Sequence, residues 1–99
     1  MHLARVIGSV VATRKEEELE GLSFLLLEQT TPKGDGRESY VVAVDAVGAG
    51  AGDLVMYASG SSARQTTVTK DRPVDATIMA IVDQVEDQGA LVYSKSDDS

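Results

Sequence analysis

Cysteine is absent from the chain, and with it go a disulfide framework, a thiolate metal site and a thiol nucleophile. Small secreted domains usually depend on such staples, so a reducing cytosol is the simplest home. Aromatic residues are scarce, with only Phe24, Tyr40, Tyr57 and Tyr93. Positive charge is short as well: 9 Lys and Arg stand against 16 Asp and Glu, a formal net charge of -7. An acidic surface repels a phosphate backbone, which argues against nucleic-acid binding and against attachment to an anionic membrane. No apolar run is long enough for a signal core or a membrane span. The nearest, residues 6–12, is interrupted by Ser9 and closed by Arg14 and Lys15, and reads as a strand of a soluble protein.

What is present is aliphatic. The 99 residues make one small domain, 42% hydrophobic, and the share is carried by Val, Leu, Ile and Ala, as many short strands require. A chain this short leaves much of its surface wet unless it associates. Residues 45–64 organise the rest. Gly48, Gly50 and Gly52 alternate with alanine before Asp53, so no side chain larger than methyl stands between the first glycine and the last, and another surface can approach the backbone closely. A strand-like run follows at 54–58. Gly60-Ser-Ser-Ala-Arg64 then reads as a capped turn of helix, spanning roughly residues 60–66.

Further strands are read at 3–12, 24–29, 40–44 and 76–82. In the first, alternation puts Ala4, Val6, Val10 and Ala12 on one face. Residues 13–22, with Glu16, Glu17, Glu18 and Glu20, read as an exposed loop, and Pro32 with Gly34-Asp-Gly36 as a hairpin turn. Residues 66–72 read as irregular. Residues 1–93 form the domain, 89–93 being a short strand or docking arm, and 94–99 an acidic flexible tail. The expected fold is mainly all-β: a small five-stranded OB-like antiparallel barrel with the short helix near 60–66. Two strands are apolar on both sides. If the barrel interior takes one face of each, Leu25 with Leu27 and Met79 with Ile81 are left to be buried against another subunit.

The chemistry of these motifs is thin. The glycines at 48–52 lack the following helix of a dinucleotide-binding loop, and no Lys-Ser or Lys-Thr follows them as a phosphate loop requires. Asp45, Asp53, Asp75 and Asp83 stand at strand boundaries, where carboxylates either pair for acid-base work or metal binding or, more simply, cap turns. Ser61 and Ser62 have no base near them in sequence, since the single histidine, His2, follows a flexible start, and an N-cap is their simpler role. Arg64 either pairs with a carboxylate on its own or a neighbouring subunit or is solvated. Catalytic residues, metal ligands and cofactors are therefore not expected. An OB-type module for a ligand or single-stranded nucleic acid is the alternative from another class, but such a module binds with a basic, aromatic-rich face.

Motifs distributed over nearly the whole chain carry a resemblance. Leu3-Ala-Arg-Val-Ile-Gly8 with Val10-Val-Ala-Thr-Arg-Lys15, Val44-Asp-Ala-Val-Gly-Ala-Gly50, Gly52-Asp53, Gly60-Ser-Ser-Ala-Arg64, and Pro73-Val-Asp-Ala76 with Ile81-Val-Asp83 closely resemble the EutN/CcmL family of bacterial microcompartment vertex proteins. The resemblance implies a structural protein without catalysis, in the bacterial cytoplasm. Its small barrels would assemble into a ring, a pentamer rather than a hexamer, closing the vertices of a shell whose facets are hexameric tile proteins. It also implies that Gly48, Gly50, Gly52 and Asp53, and Ser61, Ser62 and Arg64, lie near the ring axis or the subunit seam. The Glu-rich loop and the acidic tail depart from the family pattern and are where facet contacts or cargo preference would differ.

Overall fold

The computed structural model describes residues 1–97. Five strands, β1 (His2–Val10), β2 (Phe24–Thr30), β3 (Gly36–Asp45), β4 (Leu54–Ser59) and β5 (Ala76–Ile81), close a barrel in the order β1-β2-β3-β5-β4. Four of the contacts around the barrel are antiparallel. The fifth, between β3 and β5, is parallel, with Val44 opposite Thr77 and Asp45 opposite Ile78, so the barrel is not antiparallel throughout. A hairpin of β6 (Gln84–Asp87) and β7 (Ala90–Ser94) forms a separate two-stranded sheet. Among the described residues no helix is long and apolar enough to cross a membrane.

Inside the barrel lie Ala4, Val6, Leu27, Ala43, Val55, Tyr57, Ala76 and Ile78, with Leu25, Val41, Ala49 and Ile81 packed against them. Three alanines leave room for the Tyr57 ring, whose hydroxyl accepts a hydrogen bond from Gln29 Nε2 at 2.6 Å. Two bulges sort the remaining side chains. In β1 the register slips between Val6 and Gly8, so Val10 faces out and does not share a face with Ala4 and Val6. In β5, Met56 pairs with Ala80 and Tyr57 with Ile78. Met79 is left as the extra residue, and Ile78 and Ile81 both pack on the core. A strict alternation through 76–82 misses this turn-over.

The apolar candidates change accordingly. Leu27 is fully buried in the barrel and has no surface to offer a neighbour; Leu25 and Ile81 pack against the same core. With Leu25 and Leu27 turned inward, β2 shows Phe24 and Leu26 to the outside. Met79 stays half-buried at its bulge.

The second apolar side of β1, β4 and β5 is covered from within the chain. Leu54, Val82 and Tyr93 form an outer cluster with Leu3, Met56 and Val85, so the hairpin lies over the barrel wall. β6 was not anticipated because Gln84-Val-Glu-Asp87 has one apolar residue to mark it. The expected tail is partly regular: Ser94 ends β7, and the Lys95 N–H donates to the Asp83 carbonyl at 2.8 Å. Positions 98 and 99 of that tail lie outside the described residues.

After β4 comes a 3₁₀ helix over Gly60–Arg64, shorter and tighter than a helix to residue 66. Ser59, not Ser61, stands at its N-cap position and makes no side-chain cap bond. The end of this helix is held by a threonine cluster that composition made look irregular. The Ala63 carbonyl accepts from both Thr69 Oγ1 and Thr77 Oγ1 at 2.7 Å, which satisfies a helix-end carbonyl that would otherwise be orphaned. Farther back, Arg72 Nη1 donates to the carbonyls of Glu18 and Glu20 at 3.1 and 2.8 Å. The Glu-rich loop is thereby tied to the body of the domain.

Leu27→Ala tests the inward placement. It should cost about 2 to 5 kcal/mol of stability in urea unfolding, as for other buried leucines. A variant with the wild-type urea midpoint would return Leu27 to the surface.

Candidate functional site

The loop of residues 46–53 joins β3 to β4, and its shape is set by two carboxylates. Asp45 Oδ1 accepts the N–H groups of Val47, Gly48 and Ala49 at 3.0, 3.0 and 3.2 Å. Asp53 Oδ2 accepts that of Gly50 at 2.8 Å. Gly48 and Gly52 have φ of 81° and 90°, a left-handed conformation that disfavours any residue with a Cβ. The loop is also laced to β1: Gly52 N–H donates to the Val6 carbonyl at 2.8 Å, and Val6 N–H to the Asp53 carbonyl at 2.9 Å.

Gly50 is different. It lacks a positive φ, and a Cβ there would meet nothing closer than Asp53 Oδ2 at 3.9 Å. Among the described residues neither the backbone conformation nor a close neighbour requires glycine at this position.

One arginine joins three segments at this end of the barrel. Arg5 donates from Nη1 to the Gly52 carbonyl at 3.0 Å and from Nη2 to the Gly34 carbonyl at 3.2 Å, and its Cζ stands 5.8 Å from the centre of the Tyr93 ring. The guanidinium thus spans the Gly-rich loop, the β2–β3 turn and the C-terminal hairpin. Lys95 Nζ adds an ion pair to Asp53 Oδ1 at 3.7 Å. Sequence reading passed over Arg5; its signal was a lone cation inside an otherwise aliphatic strand.

The second motif is elsewhere. Residues 46–53 precede β4 and the Gly60–Arg64 helix follows it, so the two sit at opposite ends of a six-residue strand, about 20 Å apart at the usual rise. Ser61 and Ser62 are exposed. Arg64 Nη1 donates to the Val74 carbonyl at 3.3 Å, and among the described residues no carboxylate comes within ion-pair distance of it.

The arrangement holds little chemistry. Asp45 and Asp53 are engaged as loop caps, while Asp75 and Asp83 accept through their backbone carbonyls from the N–H groups of Gly60 and Lys95. Among the described residues no three His, Asp or Glu side chains cluster as metal ligands would. His2 is not on a flexible start: it lies in β1, its ring stacked 4.9 Å from that of Tyr57 and its Nε2 3.3 Å from Ser59 Oγ. Tyr57 and Tyr93, the aromatic residues of β4 and β7, are buried and have no open ring face to offer a ligand.

Comparison with known proteins agrees with this picture of a barrel built for contact. The family described as "Ethanolamine utilisation protein EutN/carboxysome" matches residues 1–83. The carboxysome shell vertex protein CcmL of Thermosynechococcus vestitus is 42% identical over 95 residues, covering 96% of each chain. The solved structure of Gloeobacter violaceus CcmL superposes with a TM-score of 0.93 at 41% identity, covering 97% of this chain and 99% of that one. The GrpN pentameric microcompartment shell protein from Rhodospirillum rubrum superposes at 0.81 with 44% identity, over 88% of this chain and 99% of its own. With the barrel, the Gly-rich loop and the Gly-Ser-Ser-Ala-Arg helix all inside the matched residues, the chain belongs to the EutN/CcmL family.

Proposed function

We propose that this chain is a vertex subunit of a bacterial microcompartment shell, five copies closing a ring that meets hexameric tile proteins inside the bacterial cytoplasm. Its role is structural and not enzymatic. The observation that carries the reading is the match of the whole barrel to a carboxysome shell vertex protein and to a pentameric microcompartment shell protein.

On this reading the two loops have separate duties, because β4 stands between them. Gly48, Gly50, Gly52 and Asp53 form a rigid, nearly side-chain-free ledge suited to a close subunit seam. Ser61, Ser62 and Arg64 form a polar turn at the far end, suited to the ring axis or to a second part of the seam. Met79, at its bulge, remains a contact candidate, as do the part-exposed edges of Leu25 and Ile81. A closed ring needs a heterologous contact, so a different patch must face these on the neighbour.

Light scattering on the purified chain should give the mass of five protomers; a monomer at micromolar concentration would end the reading. Gly50→Leu should leave a folded protomer, since the loop has space for a side chain, while weakening the ring. An intact ring with unchanged thermal stability would take the loop away from the seam. Arg64→Ala should weaken assembly by roughly 3 to 5 kcal/mol if its carboxylate lies buried on the neighbour, against about 0 to 1 for an exposed pair. Ring dissociation followed by dilution distinguishes the two.

A further inference from the structure

The C-terminal hairpin is held to the barrel by side chains alone. Its two strands pair only with each other, and among the described residues no backbone hydrogen bond joins residues 84–94 to a barrel strand. The last backbone tie before it runs from the Val82 N–H to the Leu54 carbonyl at 2.8 Å, and Lys95 closes the base of the hairpin on Asp83. A two-stranded ribbon is marginally stable at best in water, so the order of this one depends on what its side chains reach.

Two of those contacts lead to the Gly-rich loop, each through one shared group. The Arg5 guanidinium stands 5.8 Å from the centre of the Tyr93 ring and donates to the Gly52 carbonyl at 3.0 Å. Asp53 meets Lys95 Nζ on Oδ1 at 3.7 Å and accepts the Gly50 N–H on Oδ2 at 2.8 Å. Each bridge therefore has one foot at the hairpin and one on the loop. The fit around the first is close. Gly34, whose carbonyl also binds Arg5, has φ of 90°, and a Cβ there would stand 2.6 Å from Arg5 Nη2 and 3.5 Å from Tyr93 Cδ1. With so little room, a shift of the Tyr93 ring is a shift of the group that holds the Gly52 carbonyl.

We infer that the hairpin is a clasp for the Gly-rich loop: the two open and close as one unit, so that whatever seats on the loop steadies the hairpin and whatever lifts the hairpin loosens the loop. A hairpin that served only to cover Leu3, Leu54 and Met56 would need Val85 and the Tyr93 ring alone, and the two bridges would add nothing to it. Coupling of this kind is reciprocal. It acts on local opening, which costs less than unfolding the barrel. The clasp itself stands apart from the vertex reading. Its use rests on that reading, because a loop at a seam passes the state of the seam to the outer surface of the hairpin.

Amide hydrogen exchange on the full chain tests both directions. Tyr93→Leu keeps an apolar cover on the wall and removes the ring beside Arg5. The amides of Gly48, Gly50 and Gly52 are bonded to Asp45, Asp53 and Val6 and not to the hairpin, yet they should exchange roughly fivefold faster or more in this variant. Asp45→Ala removes the cap at the other end of the loop, and the amides of the β6–β7 pair should quicken by a similar factor. Leu27 and Val41, paired in the β2–β3 ladder, serve as the internal reference and should keep their rates; a rise that they share equally is loosening of the whole barrel and overturns the clasp. Loop rates at wild type in Tyr93→Leu, or hairpin rates at wild type in Asp45→Ala, overturn it as well, since a shared equilibrium must show in both directions. A wild-type chain found to be monomeric by light scattering would remove the vertex reading and leave these expected rates, and the clasp, as they are.

Discussion

A five-stranded barrel has room for only one side of each strand, and that constraint decides where every other apolar residue must go. Three of the eight buried residues of the inner core are alanines, so the interior is filled by small side chains around a few large ones and cannot absorb more. Every aliphatic residue on the outer wall then needs a cover, or remains exposed at a cost of about 25 cal/mol for each Å² left in water. The bulges at Ile7 and Met79 are the devices that sort the sides. Each adds one residue and thereby exchanges inward and outward positions for the remainder of its strand.

The Gly-rich loop shows how a segment of minimal side chains can be stiff. Glycine-rich sequence alone suggests mobility, since each such residue has much backbone freedom to lose. Here the lost freedom is offset by a capping network: three N–H groups on one oxygen of Asp45, another on Asp53, and a carbonyl held by Arg5. A loop ordered before it meets a partner leaves less ordering to be done on contact, which favours association. Tyr93 and Lys95 reach the same network from the hairpin, so the C-terminal segment supports the loop as well as covering the wall.

Much of the barrel was legible in sequence. Short aliphatic runs separated by Gly, Pro and Asp punctuation located all five barrel strands, and the motifs spread along the chain pointed to the family. Two misreadings had different causes: in β5 a period of two was carried through a bulge that sequence does not announce, which turned Ile81 outward, whereas in β2 both faces are apolar and nothing in the run itself says that Leu25 and Leu27, and not Phe24 and Leu26, face in. β6 was hidden by its polar composition, because it forms as the partner of β7 and not on its own propensity. The capping duty of Asp45 and Asp53 followed from residue type and position. Arg5 and the Thr69–Thr77 pair did not, since their partners lie far away in sequence and only the closed barrel brings them together.

The hairpin bears on assembly even though it begins beyond the family-matched residues. A protomer with two uncovered apolar walls could offer either to a neighbour, and a heterologous contact made through the wrong one gives an open chain of subunits unless the rotation happens to close. Laying Val85 and Tyr93 over Leu3, Leu54 and Met56 withdraws one wall from that competition. The acidic surface then disfavours contacts between like copies wherever that charge is concentrated. Specificity of this kind arises as much from removing alternatives as from improving the intended contact. In this chain the removal is done by the residues of its own C-terminal strand pair.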